Sequence, residues 1–197
     1  MTDNPTATTT CTVTGHGTAP LGLDITPANG YDTEEGSVDI EVSGATRTLG
    51  FWKTHLNFTT YVFTNYTGNS IDLGWKNVTS IDEMMGIFWA NVAKNSDGDK
   101  RGNLCQARVQ TSWQAIAAIL NSNMPGGAPL PSGVTLESIK NTLGGNNVSA
   151  IKALASQLDT YNNSGDGVAL DPSLPPTGKA DPNGARNIAD IPFADCT

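Results

Sequence analysis

The stretch Asn95-Ser96-Asp97-Gly98-Asp99-Lys100-Arg101-Gly102-Asn103 comes closest to carrying chemistry in its residue types and spacing. Oxygen side chains alternate along it, and a hard cation such as calcium takes about six or more oxygens folded inward. Counted as an EF-hand loop, Asn95, Asp97 and Asp99 fill the first, third and fifth positions and are candidate calcium ligands. The sixth position then holds Lys100 where glycine belongs, and the twelfth holds Gln106 where glutamate belongs. The competing reading is a solvated turn whose Asp and Asn side chains satisfy helix ends. Asp159, Asp166 and Asp171 form a second, looser acidic stretch.

Other catalytic signatures are missing. His16 and His55 lie far apart with no acidic partner at motif spacing, which suits ordinary hydrogen-bonded residues. No nucleophile elbow, zincin helix, phosphate loop or dinucleotide fingerprint occurs, and Thr177-Gly178-Lys179 lacks the upstream glycines of a phosphate loop. Without Cys-X-X-Cys-His, covalent haem is excluded, so calcium is the one cofactor the sequence suggests, with neither haem nor nucleotide. The expectation is a protein that is not an enzyme. A hydrolase using two carboxylates stays open, because such pairs need not be neighbours in sequence. Leu174-Pro175-Pro176-Thr177-Gly178 formally fits a sortase-type sorting signal, but the apolar stretch and basic end that should follow are absent, so it reads as extended polyproline.

Cys11, Cys105 and Cys196 make an odd set. Cys196 follows the short apolar anchor Ile191-Pro192-Phe193, and the expectation is a staple to Cys105 that ties the tail down. Cys11 is then left over, free or paired with another subunit; the alternative is three reduced thiols. Five Asn-X-Ser/Thr sequons, at Asn57, Asn65, Asn77, Asn147 and Asn162, also point to an exported chain as candidate glycosylation sites. Met1-Thr2-Asp3-Asn4-Pro5 has neither the basic start nor the apolar stretch of a leader, so the chain is read as a mature form.

Charge narrows the partners. Charged residues are only 15% of the chain, and 19 acidic against 11 basic side chains leave a net charge of −8. A phosphate backbone would be repelled, which excludes nucleic acid. No apolar run approaches the ~18–20 residues needed to span a bilayer. Among the aromatics, Trp89 and Trp113 are assigned to apolar helix faces and the core. Phe51, Trp52 and Trp75, placed in loops beside Tyr61 and Tyr66, form a candidate carbohydrate-stacking platform or subunit contact. The alternative is a mini-core covering the β part.

The elements that must position these residues give an α+β chain. Residues 1–45 read as a β-rich arm: Thr-rich sequence surrounds Cys11 and Val13, and Leu21, Leu23, Ile25 and Val38, Ile40, Val42 alternate with strand period. Residues 46–162 read as a mainly helical domain of about four helices. Leu56 begins a piece that is either strand or a short helix capped by Thr54. Ser80 and Glu83 form a capping box before an apolar stripe over residues 81–94. A second helix, over about residues 102–122, carries Cys105, Val109, Trp113, Ile116 and Leu120 on one face. A third is capped by Thr135, and a fourth covers 148–161. Residues 163–197 read as an irregular tail wrapped over the helices, with one turn of helix near Ala185.

Arg47-Thr48-Leu49-Gly50-Phe51-Trp52-Lys53-Thr54-His55, with the later helix Gln114-Ala115-Ile116-Ala117-Ala118-Ile119-Leu120-Asn121, resembles a pattern in uncharacterised exported proteins of archaea and bacteria. In those proteins a Pro-Glu-Ala-Trp run often follows the histidine, where Leu56-Asn57-Phe58 stands here. The resemblance implies a cell-surface location and no particular reaction. The resulting expectation is an extracellular structural or adhesive protein, a filament or surface-layer subunit whose partner is itself. Cys11 and Val13 of the arm would provide the intersubunit contact by strand addition. The alternative is an extracellular calcium- or carbohydrate-binding module.

Overall fold

A computed structural model describes residues 44–196. The expected arm, with Cys11, Val13, His16 and the two alternating strands, lies outside the described residues. Within them the chain is helix-dominated: seven α-helices, a 3-10 turn and one two-stranded sheet.

The frame is α4, Asn103–Asn123, in the order α1 Leu49–Thr54, α2 Leu56–Tyr66, β1 Ile71–Asp72, β2 Asn77–Val78, α3 Ile81–Trp89 and then α4. It is followed by α5 Leu136–Gly144, α6 Val148–Ser164, α7 Pro182–Asn187 and the 3-10 turn Ile191–Ala194. Every residue from Ala115 to Asn121 is buried, because α6 packs along one side of α4 while α1, α2, α3 and α5 cover others. A helix surrounded in this way carries apolar residues on all faces. Thr111 Oγ1 donates to the Ile151 carbonyl across the α4–α6 contact at 3.1 Å. Arg108 donates to the carbonyls of Leu143 (3.0 Å) and Gly144 (3.0 Å), capping the C-terminus of α5.

The capping chemistry acts as expected at α3 and α5, where Ser80 with Glu83 and Thr135 with Ser138 form reciprocal boxes. The expected helix over 81–94 is nonetheless shorter and ends at Trp89. Asn91 Oδ1 accepts from the amides of Ala93 (2.8 Å) and Lys94 (3.1 Å), an Asx turn that competes with the helix.

Phe51 and Trp52, expected in a loop, lie in the helix α1, and the undecided piece from Leu56 is the helix α2, with His55 and not Thr54 at its start. Thr48 caps α1 through the Phe51 amide, and His55 serves as C-cap of α1 and N-cap of α2. Phe58, Val62 and Phe63 then fall on one buried face, and each such apolar side chain contributes about 2–3 kcal/mol. Burial on that face overrides the strand propensity of Thr59, Thr60 and Val62. Observed β structure in this region is the short antiparallel pair Ile71 with Val78 and Asp72 with Asn77.

The expected turn of helix near Ala185 is α7, capped by Asp181 with Pro182 in the first turn, and the 3-10 turn Ile191–Ala194 is added to it. Leu174, Ala185 and Ala194 join the main core. Gly86 lets the tail reach α3, because a Cβ there would collide with the Asp190 carbonyl.

Candidate functional site

The segment 47–55 is an anchoring device. The Arg47 guanidinium donates to the carbonyls of Thr46 (2.6 Å), Asp166 (3.2 Å) and Val168 (3.0 Å). The Asp166 and Val168 oxygens lie just past the C-terminus of α6, where a cation is favoured. Trp52 is fully buried, stacks with Phe58 at 5.8 Å and donates Nε1 to Asn121 Oδ1 at 3.0 Å. Asn121 is itself fully buried and satisfied. Its Oδ1 also accepts from the Arg47 amide (2.7 Å), and its Nδ2 donates to the Arg47 carbonyl (2.9 Å) and to Asn162 Oδ1 (2.9 Å).

The chain of amides continues to the surface. Asn162 Nδ2 donates to Gln114 Oε1 at 2.8 Å, and Gln114 Nε2 donates to Asp159 Oδ1 at 2.9 Å. Four consecutive side-chain hydrogen bonds therefore run from the buried Trp52 indole to an exposed carboxylate. Networks of this kind hold their members in one rotamer when every donor is matched.

Asp159 and Gln114 open into a groove of 360 Å³ between α4, α6 and the start of α1, lined also by Leu49, Gln110, Trp113, Ala155 and Ser156. The Trp113 ring is fixed by its Nε1, which donates to the Ile87 carbonyl at 2.6 Å. Next to it, Lys53 Nζ lies 5.9 Å from the Trp113 ring centroid and 4.1 Å from that of Trp89. The Arg186 guanidinium lies 4.4 Å from the same Trp89 ring. Burial, and then the nearby Arg186 charge, hold the Lys53 ammonium below its ordinary pKa.

The loop first singled out for calcium is a closed turn that receives the tail. Asn95 Oδ1 accepts the Asp99 amide at 2.7 Å, and Lys94 bridges Lys100 in antiparallel fashion. Asp97 and Asp99 are exposed. Among the described residues, no group of three or more His, Cys, Asp and Glu side chains converges as a metal site would require. The neighbouring Arg101, only 4% exposed, donates to the carbonyls of Asn91 (3.0 Å), Lys94 (2.9 Å) and Ala194 (2.8 Å). Its Nη2 sits 2.6 Å from Asp195 Oδ1 but off the line of an N–H bond, so that contact is an ion pair more than a directed hydrogen bond. Cys105 and Cys196 are joined in a disulfide, with Cα atoms 5.8 Å apart.

Burial raises the Asp195 carboxyl, but bonds from the Ser96 hydroxyl and amide and the Arg101 charge outweigh it, leaving its pKa below the ordinary range. An acid depressed in the folded state stabilises above its unfolded pKa of about 4, and that contribution is lost as pH falls through the folded value. The last residues should therefore stay protected from hydrogen exchange at neutral pH and lose protection below about pH 4. Asp195→Asn should remove that acid step; an unchanged step would show that another carboxylate controls the docking.

The aromatic trio does not form one platform. Trp52 has no exposed face, Phe51 stacks on His55 at 4.1 Å, and Trp75 lies apart, donating Nε1 to Ser112 Oγ at 3.0 Å. Nor are the sequons equivalent. Asn57, Asn65, Asn77 and Asn147 are exposed, whereas Asn162 is 0% exposed with its amide committed to Gln114. A glycan on Asn162 has no room in the folded domain, so glycopeptide mapping of the native protein should find that site bare.

Sequence reasoning assigned Trp113 wholly to the core and passed over Gln114. Gln114 and Asp159 meet across 45 positions, and no local pattern signals that pairing. No family model matches the chain, and neither the curated proteins nor the solved structures contain a match.

Proposed function

We propose that the chain is an exported structural or adhesive domain of a prokaryotic cell surface, which assembles with copies of itself through its N-terminal arm. The observation that carries this reading is the cross-link between Cys105 and Cys196, which closes the last turn of the chain onto α4 over a separation of 91 residues. Disulfides of this kind persist in oxidising compartments and are rare in a reducing cytosol. Cys11, the one cysteine outside that cross-link, fits the same setting if it locks an added strand between neighbours.

Mass analysis of the oxidised full chain with and without reductant, with the cysteine peptides mapped, tests the reading. The expected result is a Cys105 to Cys196 peptide together with Cys11-linked multimers. Three free thiols on a monomer would overturn it.

A further inference from the structure

A pyranose ring offers a binding site two different surfaces, an apolar C–H face and a rim of hydroxyls. A matching site needs an aromatic face flanked by planar polar groups held in place. The groove over α4 and α6 is lined by the apolar Trp113, Leu49 and Ala155 and by Gln114 and Asp159, two planar polar groups held by hydrogen bonds. At 360 Å³ it lies at the lower end of small-molecule sites, which run from about 300 to 1,000 Å³.

Two features show that it is built before any ligand arrives. The bond from Trp113 Nε1 to the Ile87 carbonyl stops the indole from turning, so stacking need not freeze it. Asp159 is aimed by the amide chain from Trp52 through Asn121, Asn162 and Gln114. That chain uses Oδ1, and among the described residues no group donates to Oδ2, which leaves an acceptor for a sugar hydroxyl. Other ligand classes fit less well. The carboxylate and the net charge of −8 disfavour phosphate. The Lys53 ammonium beside the Trp113 ring disfavours a second ammonium.

We propose that this groove binds a sugar unit of a glycan, with Trp113 as the stacking platform and Asp159 as hydroxyl acceptor. This rests on the adhesive reading for its setting and names the partner of that adhesion.

The test uses the oxidised full chain titrated by calorimetry with hexasaccharides of β-glucan, α-glucan, chitin and mannan. At least one should bind with a millimolar or tighter Kd. Binding should weaken about tenfold or more in Asp159→Ala, and in Ser156→Tyr, which fills the groove from the exposed face of α6. Both variants change surface residues, and unaltered thermal unfolding would show that they fold. Failure of all four probes to bind at millimolar concentration, or binding that survives both substitutions, would overturn the proposal. The two readings fail separately. An oxidised, cross-linked chain that binds no sugar sinks the groove alone, and a chain with free thiols that binds sugar sinks only the exported setting.

Discussion

Cys196→Ser should lower the melting temperature of the oxidised chain by about 10 °C, and reductant should bring the unaltered chain to the same value. Closing a loop of 91 residues removes about 4–5 kcal/mol of chain entropy from the unfolded state in the simplest treatment, and native cross-links typically return about 2–4 kcal/mol. At about 2–4 °C per kcal/mol for a chain of this size, the expected shift follows. The cross-link has a local role as well. Without it the tail can leave, and Arg101 is then a buried guanidinium deprived of Asp195 and the Ala194 carbonyl. A stranded charge of that kind costs more than a surface ion pair returns. Thermal unfolding with and without reductant gives the answer. A melting temperature indifferent to both reductant and substitution would mean that the tail is held by packing alone.

The second large effect is expected at Asn121. Asn121→Ala should destabilise the domain by about 4 kcal/mol, because two buried and two half-buried groups lose a partner together and each buried orphan costs about 1–3 kcal/mol. The groups are Trp52 Nε1, the Arg47 amide and carbonyl, and Asn162 Oδ1. Trp52→Phe removes the indole donor and also shrinks a fully buried ring, so it should cost about 2–4 kcal/mol. In the Asn121→Ala background the same change should cost about 1–2 kcal/mol less, since the donor is already stranded and only the packing loss remains. Urea unfolding of the four proteins measures the cycle. Strict additivity would show that the indole and the amide do not act on each other. Because Asn162 links Asn121 to Gln114, the substitution should also loosen the Asp159 carboxylate in the groove.

Whether an element was legible depended on where its cause lay. The starts of α3 and α5 were readable because the groups that satisfy their first amides lie within three residues of the cap. Residues 148–161 were readable from the spacing of Ile151, Leu154 and Leu158. The end of α3 was misread because the apolar period runs on to Val92, while the deciding Asx turn at Asn91 leaves no periodic trace. The segment from Leu56 was ambiguous in propensity, and the packing of Phe58, Val62 and Phe63 settled it as helix. The tail read as irregular apart from a turn of helix near Ala185, because Pro, Gly and Asp dominate it; that turn is α7, while the 3-10 turn at Ile191–Ala194 left no signal in the sequence.

The candidate site divides the same way. Composition, the cysteine set and the caps are properties of single residues and short windows, so the acidic balance, the lack of familiar catalytic motifs and most helix starts could be read directly from the chain. The groove could not. Trp113 shows an apolar helix position, and only its neighbours decide that part of its ring lines a groove with Leu49 and Ser156. Gln114, Asp159, Asn162 and Asn121 are ordinary polar residues in a polar sequence, and they become one network only when α4 and α6 lie side by side with residues 46–52 packed on them. Hydrogen bonds between side chains require contact, and contact between residues 40 to 70 positions apart is made by the packing of helices, not by local spacing.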